Sequence, residues 1–143
     1  MYSEWRRASV DARLVAMVAN GPKNELYMIK CNGVAYGLCA ISSVSAVDAS
    51  GMIWFLRAPD VKRKPGAMTA AVKLLAKAGF EDHGLHTLTA QVFAGNAGSE
   101  RVILGAGFRK VGTLRESAQL DEEFRDKTIF DMLADDLWGR AET

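Results

Sequence analysis

The chain has little of what announces a specialised architecture. Two cysteines in 143 residues exclude a disulfide framework and a four-cysteine metal site. Histidine is equally scarce: His83 and His86 stand three apart around Gly84. With no further ligands near them, no metal is expected, and both read as surface or cap residues. No apolar run approaches the roughly 20 residues that a membrane span needs. The opening MYSEWRRASVDAR has no apolar segment of the secretory kind. Charge of one sign is missing too. Eighteen Lys and Arg against 17 Asp and Glu leave a net charge of +1, which calls for neither nucleic acid nor a membrane. The Gly-Lys-Ser/Thr of a nucleotide-binding P-loop and the Gly-x-Ser-x-Gly of a serine nucleophile are both absent. A hydrophobic content of 49% supports a single domain over residues 1–143 with a substantial core.

Three prolines, Pro22, Pro59 and Pro65, punctuate the chain. Ser9 can cap a helix over residues 10–19, with Val10, Leu14, Met17 and Val18 on one face, and Asn20-Gly21-Pro22 stops it. Asn32-Gly33 between apolar runs predicts a two-residue hairpin turn joining strands over 26–31 and 34–43. This register sets Cys31 opposite Val34 and Cys39 opposite Leu26, too far apart to pair, so both read as free thiols in a reducing, cytoplasmic setting. A buried, inert role suits them better than a nucleophile. After a turn at residues 48–51, the run Met52–Arg57 is apolar on both faces and reads as a central strand. A helix over 67–82 follows, with Ala71, Leu74, Leu75 and Ala78 as its apolar face. Next come a strand over 87–93, a short helix over 99–106 ended by Gly107, and strands over 109–115 and 127–133. Strand, helix, strand in the middle implies a parallel pair within an otherwise antiparallel sheet.

Two helix starts deserve a chemical reading. The basic loop Lys62-Arg63-Lys64-Pro65-Gly66-Ala67 opens the long helix, and Asn96 precedes the short one. Helix starts carry unpaired N–H groups and a favourable potential for anions. Two of them on one sheet suit a ligand with phosphates and amides. Asn96 is also an N-cap by type, and one side chain can cap a helix and meet a ligand.

These residues resemble the GNAT acyltransferases, and within them the Rim-type branch that acetylates protein N-terminal amines and small amines. The likeness rests on Asn96-x-x-Ser99, Gly107-Phe108-Arg109, Gly112-Thr113-Leu114-Arg115-Glu116, Asp126, Met132-Leu133 and Asp136-Leu137-Trp138, preceded by Phe80-Glu81 and Gly84-Leu85-His86. It runs from about Tyr36 onward. It implies an α/β, single-domain fold: a mixed, mostly antiparallel sheet with a central parallel strand pair that splays apart, flanked by helices. It also implies acetyl-CoA as co-substrate and direct attack by a primary amine, from a small molecule or a peptide.

The family's pyrophosphate loop, Arg/Gln-x-x-Gly-x-Gly/Ala, fits in two registers. One puts Arg63 first, Gly66 fourth and Met68 last. The other starts at Lys62, ends at Ala67 and puts Pro65 where glycine belongs. By this likeness Arg63, Lys64, Gly66, Ala67 and Met68 would hold the phosphates, main-chain groups of Leu56 and Ala58 the pantetheine, and Asn96 an amide of its arm. Ser99 would bind the cofactor and donate to the leaving thiolate. The Tyr that many relatives carry seven residues after the Asn is here Ile103, so Ser99 or solvent replaces it. Glu116, Asp121, Glu122 and Glu123 read as a loop bordering the acceptor, and Asp126 and Arg115 as a structural pair. The N-terminal third reads as shorter than the family's, implying a thin acceptor side: either a bulky acceptor binds a shallow groove or a second subunit completes the pocket, and apolar surface left exposed by a shortened core favours a homodimer. A non-catalytic module that binds acyl-CoA or a protein is the alternative.

Overall fold

The computed structural model describes residues 25–137; the helix expected over 10–19 and Trp138 lie outside them. Six strands form one mixed sheet in the order β1-β2-β3-β4-β6-β5. In chain order they are β1 (Glu25–Cys31), β2 (Val34–Ser45), β3 (Ser50–Arg57), β4 (Thr87–Phe93), β5 (Arg109–Leu120) and β6 (Glu123–Leu133). Helix α1 (Ala67–Glu81) crosses from β3 to β4, α2 (Ala97–Gly105) from β4 to β5, and a single turn, α3 (Ala134–Leu137), follows β6. Among the described strands only the β3–β4 pair is parallel. The expected α/β class and mixed sheet are the observed ones.

Asn32 and Gly33 sit at φ 53° and 80°, the left-handed pair that a tight hairpin demands. Cys31 faces Val34 as expected, but a bulge between Ile29 and Lys30 shifts the ladder by one, so Cys39 faces Tyr27 rather than Leu26. β3 begins at Ser50, two residues before the apolar run. The last hairpin departs further from expectation. Its strands extend to Leu120 and from Glu123, across the segment read as an acidic loop. Asp121 and Glu122 take φ 52° and 66°, a hairpin turn made without the usual glycine. Nor does Asp126 pair with Arg115. Its Oδ1 accepts from the Glu116 N–H at 2.8 Å, where Glu116 bulges out of β5 at φ 47°.

The core lies between the sheet and the two longer helices. β2 and β3 contribute Cys39, Ile41 and Ile53, β4 contributes Leu88, Ala90 and Val92, and β6 contributes Phe130 and Met132. Helix α1 meets them with Met68, Val72, Leu75, Ala76, Gly79 and Phe80, spaced i, i+4, i+7, i+8, i+11 and i+12. This face is rotated from the expected one: Leu75 is 5% exposed, but Leu74 is 70% exposed. The expected face needed only alanines and leucines. The real one uses Met68 and Phe80 at its ends and Gly79, where a Cβ would come within 2.9 Å of Ile41 Cδ1.

The rotation of α1 has a direct test. Leu75→Ala should cost about 2–4 kcal/mol in urea unfolding, as for a truncated core leucine. Leu74→Ala should stay within about 0.5 kcal/mol, as for a surface position. Equal effects would contradict the orientation described.

Candidate active site

β3 and β4 are paired at one end only. Ser50, Gly51 and Met52 face Thr87, Leu88 and Thr89, and the pairing stops there. The closed end is reinforced by the Ala49 carbonyl, which accepts from the His86 and Thr87 N–H groups at 2.6 and 3.2 Å. Beyond it β3 stays bonded to β2 through Arg57, and β4 to β6 through Phe93. Each strand follows its own partner, and the two part company.

Main-chain direction decides what this gap offers. Along a strand, successive residues aim their N–H and C=O to opposite edges. The Ala58 N–H bonds to the Tyr36 carbonyl of β2 at 2.9 Å. That turns the even-numbered residues of β3 toward β2. The Leu56 carbonyl accordingly lies so close to Gly37 of β2 that a Cβ there would overlap it. Phe55 and Arg57 then aim their main-chain groups at β4. On β4 the Ala94 N–H bonds to the Asp126 carbonyl beside β6 at 2.9 Å, so Gln91 and Phe93 aim theirs at β3. Unladdered main-chain groups of Phe55, Arg57 and Gln91 and the N–H of Phe93 thus face one another across the opening, while the Phe93 carbonyl accepts from the Asn96 N–H at 3.0 Å. Leu56 turns its main-chain groups to β2, and Ala58, the other contact read from the sequence, gives its N–H to β2 and its carbonyl to the Val61 N–H at 3.2 Å; the edge on offer is one residue out of step.

The opening leads into a cleft of about 750 Å³ whose lining includes both strands and Tyr36, Arg63, Met68, Asn96, Ser99 and Arg125. The structure therefore gathers Leu56, Arg63, Met68, Asn96 and Ser99 around one cavity. Lys64, Gly66 and Ala67 form the adjoining turn, and Ala58 does not line it. Gly66 sits at φ 82° as the N-cap of α1, with no side-chain cap; its lack of a Cβ permits that conformation. Within this loop the Lys64 N–H is bonded to the Tyr36 hydroxyl at 3.1 Å and the Ala67 N–H to the Lys64 carbonyl at 3.1 Å. Pro65 has no N–H. The donors that remain are those of Gly66 and of Met68 and Thr69 in the first turn, which has no intrahelical acceptors, beside the Arg63 guanidinium.

Asn96 caps α2: its Oδ1 accepts from the Ser99 N–H at 3.1 Å. Its Nδ2 and the Ser99 hydroxyl enter no hydrogen bond within the described residues. Ile103 is fully buried and contributes nothing to the cavity. Arg57, Arg63 and Arg125 are the charged residues of the lining, which holds no carboxylate or imidazole among the described residues. The site is therefore built to receive anions and main-chain-like amides. His83 is occupied elsewhere, with Nε2 2.6 Å from Glu25 Oε1, and no group of three metal-ligating side chains occurs among the described residues. Among the lining residues outside the segments read as cleft walls are Tyr36, Leu120 and Arg125. The last two reach the cleft only because the final hairpin continues past the expected loop.

A family model described as the acetyltransferase (GNAT) domain matches residues 2–109, and the chain belongs to that family. The match reaches the N-terminal residues, well before Tyr36 where the motif likeness began. The probable N-acetyltransferase YjcK of Bacillus subtilis (strain 168) is 35% identical over 71 residues, covering 50% of this chain and 39% of that protein. The chain thus spans well under half the length of this curated relative. A mutant of spermidine N-acetyltransferase SpeG from Vibrio cholerae superposes with a TM-score of 0.79 at 17% identity, over 90% of this chain and 76% of that one. RimL, an alpha-N-protein acetyltransferase of a ribosomal protein solved with coenzyme A, gives 0.75 at 14% identity, over 85% and 68%. At these identities the two structures establish the fold.

Neither thiol lines the cleft. Cys31 and Cys39 are free, and burial pushes the Cys39 thiol from 9.0 up to about 11, away from the reactive thiolate. A thiol with a raised pKa contributes stability in full below its unfolded pKa and loses it as pH rises through the folded one. Between about pH 9 and 11, thermal stability should fall with Cys39 in place. Cys39→Ala should flatten that slope, while the partly exposed Cys31 should be alkylated first at pH 8.

Proposed function

We propose that the chain is an acetyl-CoA-dependent N-acetyltransferase that acetylates a primary amine by direct attack in a ternary complex. The observation that carries this reading is the three-residue seam between β3 and β4, beyond which two strand edges offer main-chain partners to an extended, amide-bearing arm. The loop before α1 supports it. Gly66, Met68 and Thr69 present N–H groups, the helix dipole adds potential, and Arg63 adds charge, which together suit a pyrophosphate.

Acetyl-CoA brings the thioester carbonyl that is attacked and a thiolate that leaves. The chain's own residues hold and orient it, which is most of what such a reaction requires. Phe55, Arg57, Gln91 and Phe93 supply main-chain groups along the arm. Asn96 keeps its cap through Oδ1 and gives Nδ2 to an amide carbonyl. Ser99, at the head of α2, donates from its hydroxyl to the sulfur. With Ile103 in the core and no carboxylate in the lining, the amine's proton passes to water. The acceptor class stays open between small amines and peptide N-termini. We assign the chain to the cytoplasm on its two free thiols, read residues 1–143 as one domain, and expect a homodimer to complete the acceptor side.

The absence of a carboxylate from the described cleft favours a second reading, a module that holds acyl-CoA without turning it over. Thiol release with a panel of amines separates the two: turnover with any amine supports the enzyme, and binding without release supports the module. Acetyl-CoA at about one hundred times its Kd should stabilise the protein by about 2.7 kcal/mol in a thermal-shift assay. No shift at millimolar ligand defeats both readings. Asn96→Asp should retain the cap within about 0.5 kcal/mol and raise the KM for acetyl-CoA, whereas Asn96→Ala should lose both cap and affinity. Unchanged kinetics in both variants would remove Asn96 from the pantetheine site.

A further inference from the structure

Tyr36 is the largest side chain among the described residues to be almost wholly buried, at 2% exposed, yet it lines the cleft. Its hydroxyl accepts from the Lys64 N–H at 3.1 Å and donates to the Lys64 carbonyl at 3.4 Å. A single phenol therefore grips both polar ends of one residue in the basic loop, 28 positions away in sequence. Its own carbonyl holds the Ala58 N–H at 2.9 Å, so the same residue anchors the point where β3 ends and the loop begins. The loop has little else to shape it. Pro65 fixes one φ angle, Gly66 is in the left-handed region with no side-chain cap, and Lys62, Arg63 and Lys64 form no ion pair among the described residues.

We propose that Tyr36 is a positioning residue for the anion-binding loop, acting through Lys64 to set the N–H groups of Gly66, Met68 and Thr69 and the Arg63 guanidinium before ligand arrives. The inference rests on reading the cleft as an acyl-CoA site. It explains how a loop that contains Pro65, which has no N–H to give, can still serve. The Lys64 N–H is withdrawn from the anion and spent on the brace, and the donors that follow are held in one conformation. Preorganisation of this kind shows in affinity, because ordering need not be met on binding.

The test uses the full chain and Tyr36→Phe, which removes only the hydroxyl. The KM for acetyl-CoA should rise about tenfold, the scale of one lost hydrogen-bonded constraint, with kcat at saturating acetyl-CoA unchanged. A merely structural tyrosine would lower the melting temperature without that split. Amide exchange of the ligand-free wild type gives a second measurement independent of whether the variant folds: the Lys64 amide should be protected although it lies in an exposed loop. An unaltered KM in a folded Tyr36→Phe, or free exchange at Lys64, overturns the brace. If the wild type itself binds no acetyl-CoA while Lys64 is protected, it is the reading of the cleft that fails, and the assignment of Tyr36 to ligand positioning fails with it.

Discussion

Everything that gives this fold a site follows from one constraint: β3 and β4 share only three residue pairs. A parallel pair at the centre of a sheet would ordinarily use all its main-chain groups. Here β3 is committed to β2 over its whole length and β4 to β6 over its whole length. Two half-sheets, each with its own twist, meet along a short join and diverge. The divergence creates strand edges inside the molecule. Interior edges escape the aggregation hazard of exposed ones, and they leave main-chain partners open within the cleft.

The helices belong to the same logic. α1 must start where β3 has already turned away, and α2 where β4 ends, so both N-termini border the opening. The sequence prepares each start differently. Gly66 permits a left-handed entry to α1, and Asn96 caps α2 with its own oxygen. Positive charge comes from residues on three separate elements, Arg57 at the end of β3, Arg63 in the loop and Arg125 on β6. That convergence is invisible in a net charge of +1.

Much of this was legible in the sequence, and what was not has identifiable causes. Thr87–Phe93 was read to the residue, because a run with β-branched residues bounded by a helix end and an Asn turn has few alternatives. The Asn32-Gly33 turn was equally plain. The bulge at Ile29 and Lys30 left no mark in composition, and it moved Cys39 by one rung. The final hairpin was cut short because Asp121-Glu122 carries no glycine, so a tight turn looked like a charged loop. The face of α1 was misjudged because leucine at two adjacent positions makes the pattern ambiguous; the sheet resolves it by admitting only Leu75. Main-chain direction was the least accessible quantity of all. It depends on which edge of β3 faces β2, set by a single bond from Ala58 to Tyr36. Tyr36 itself carries no motif and is linked to the loop only by tertiary packing.

The short join has a mechanical meaning as well. Hydrogen bonds hold the two half-sheets together at one end only, so the separation at the other end is governed by side-chain packing. α1 lies on β2 and β3 and touches α2, which in turn lies on β4. The volumes of Val72, Leu75 and Ile103 between them act as a spacer, like a shim under a pair of plates. Changing the bulk of those buried side chains would retune how wide the plates stand without touching a single residue of the cleft lining.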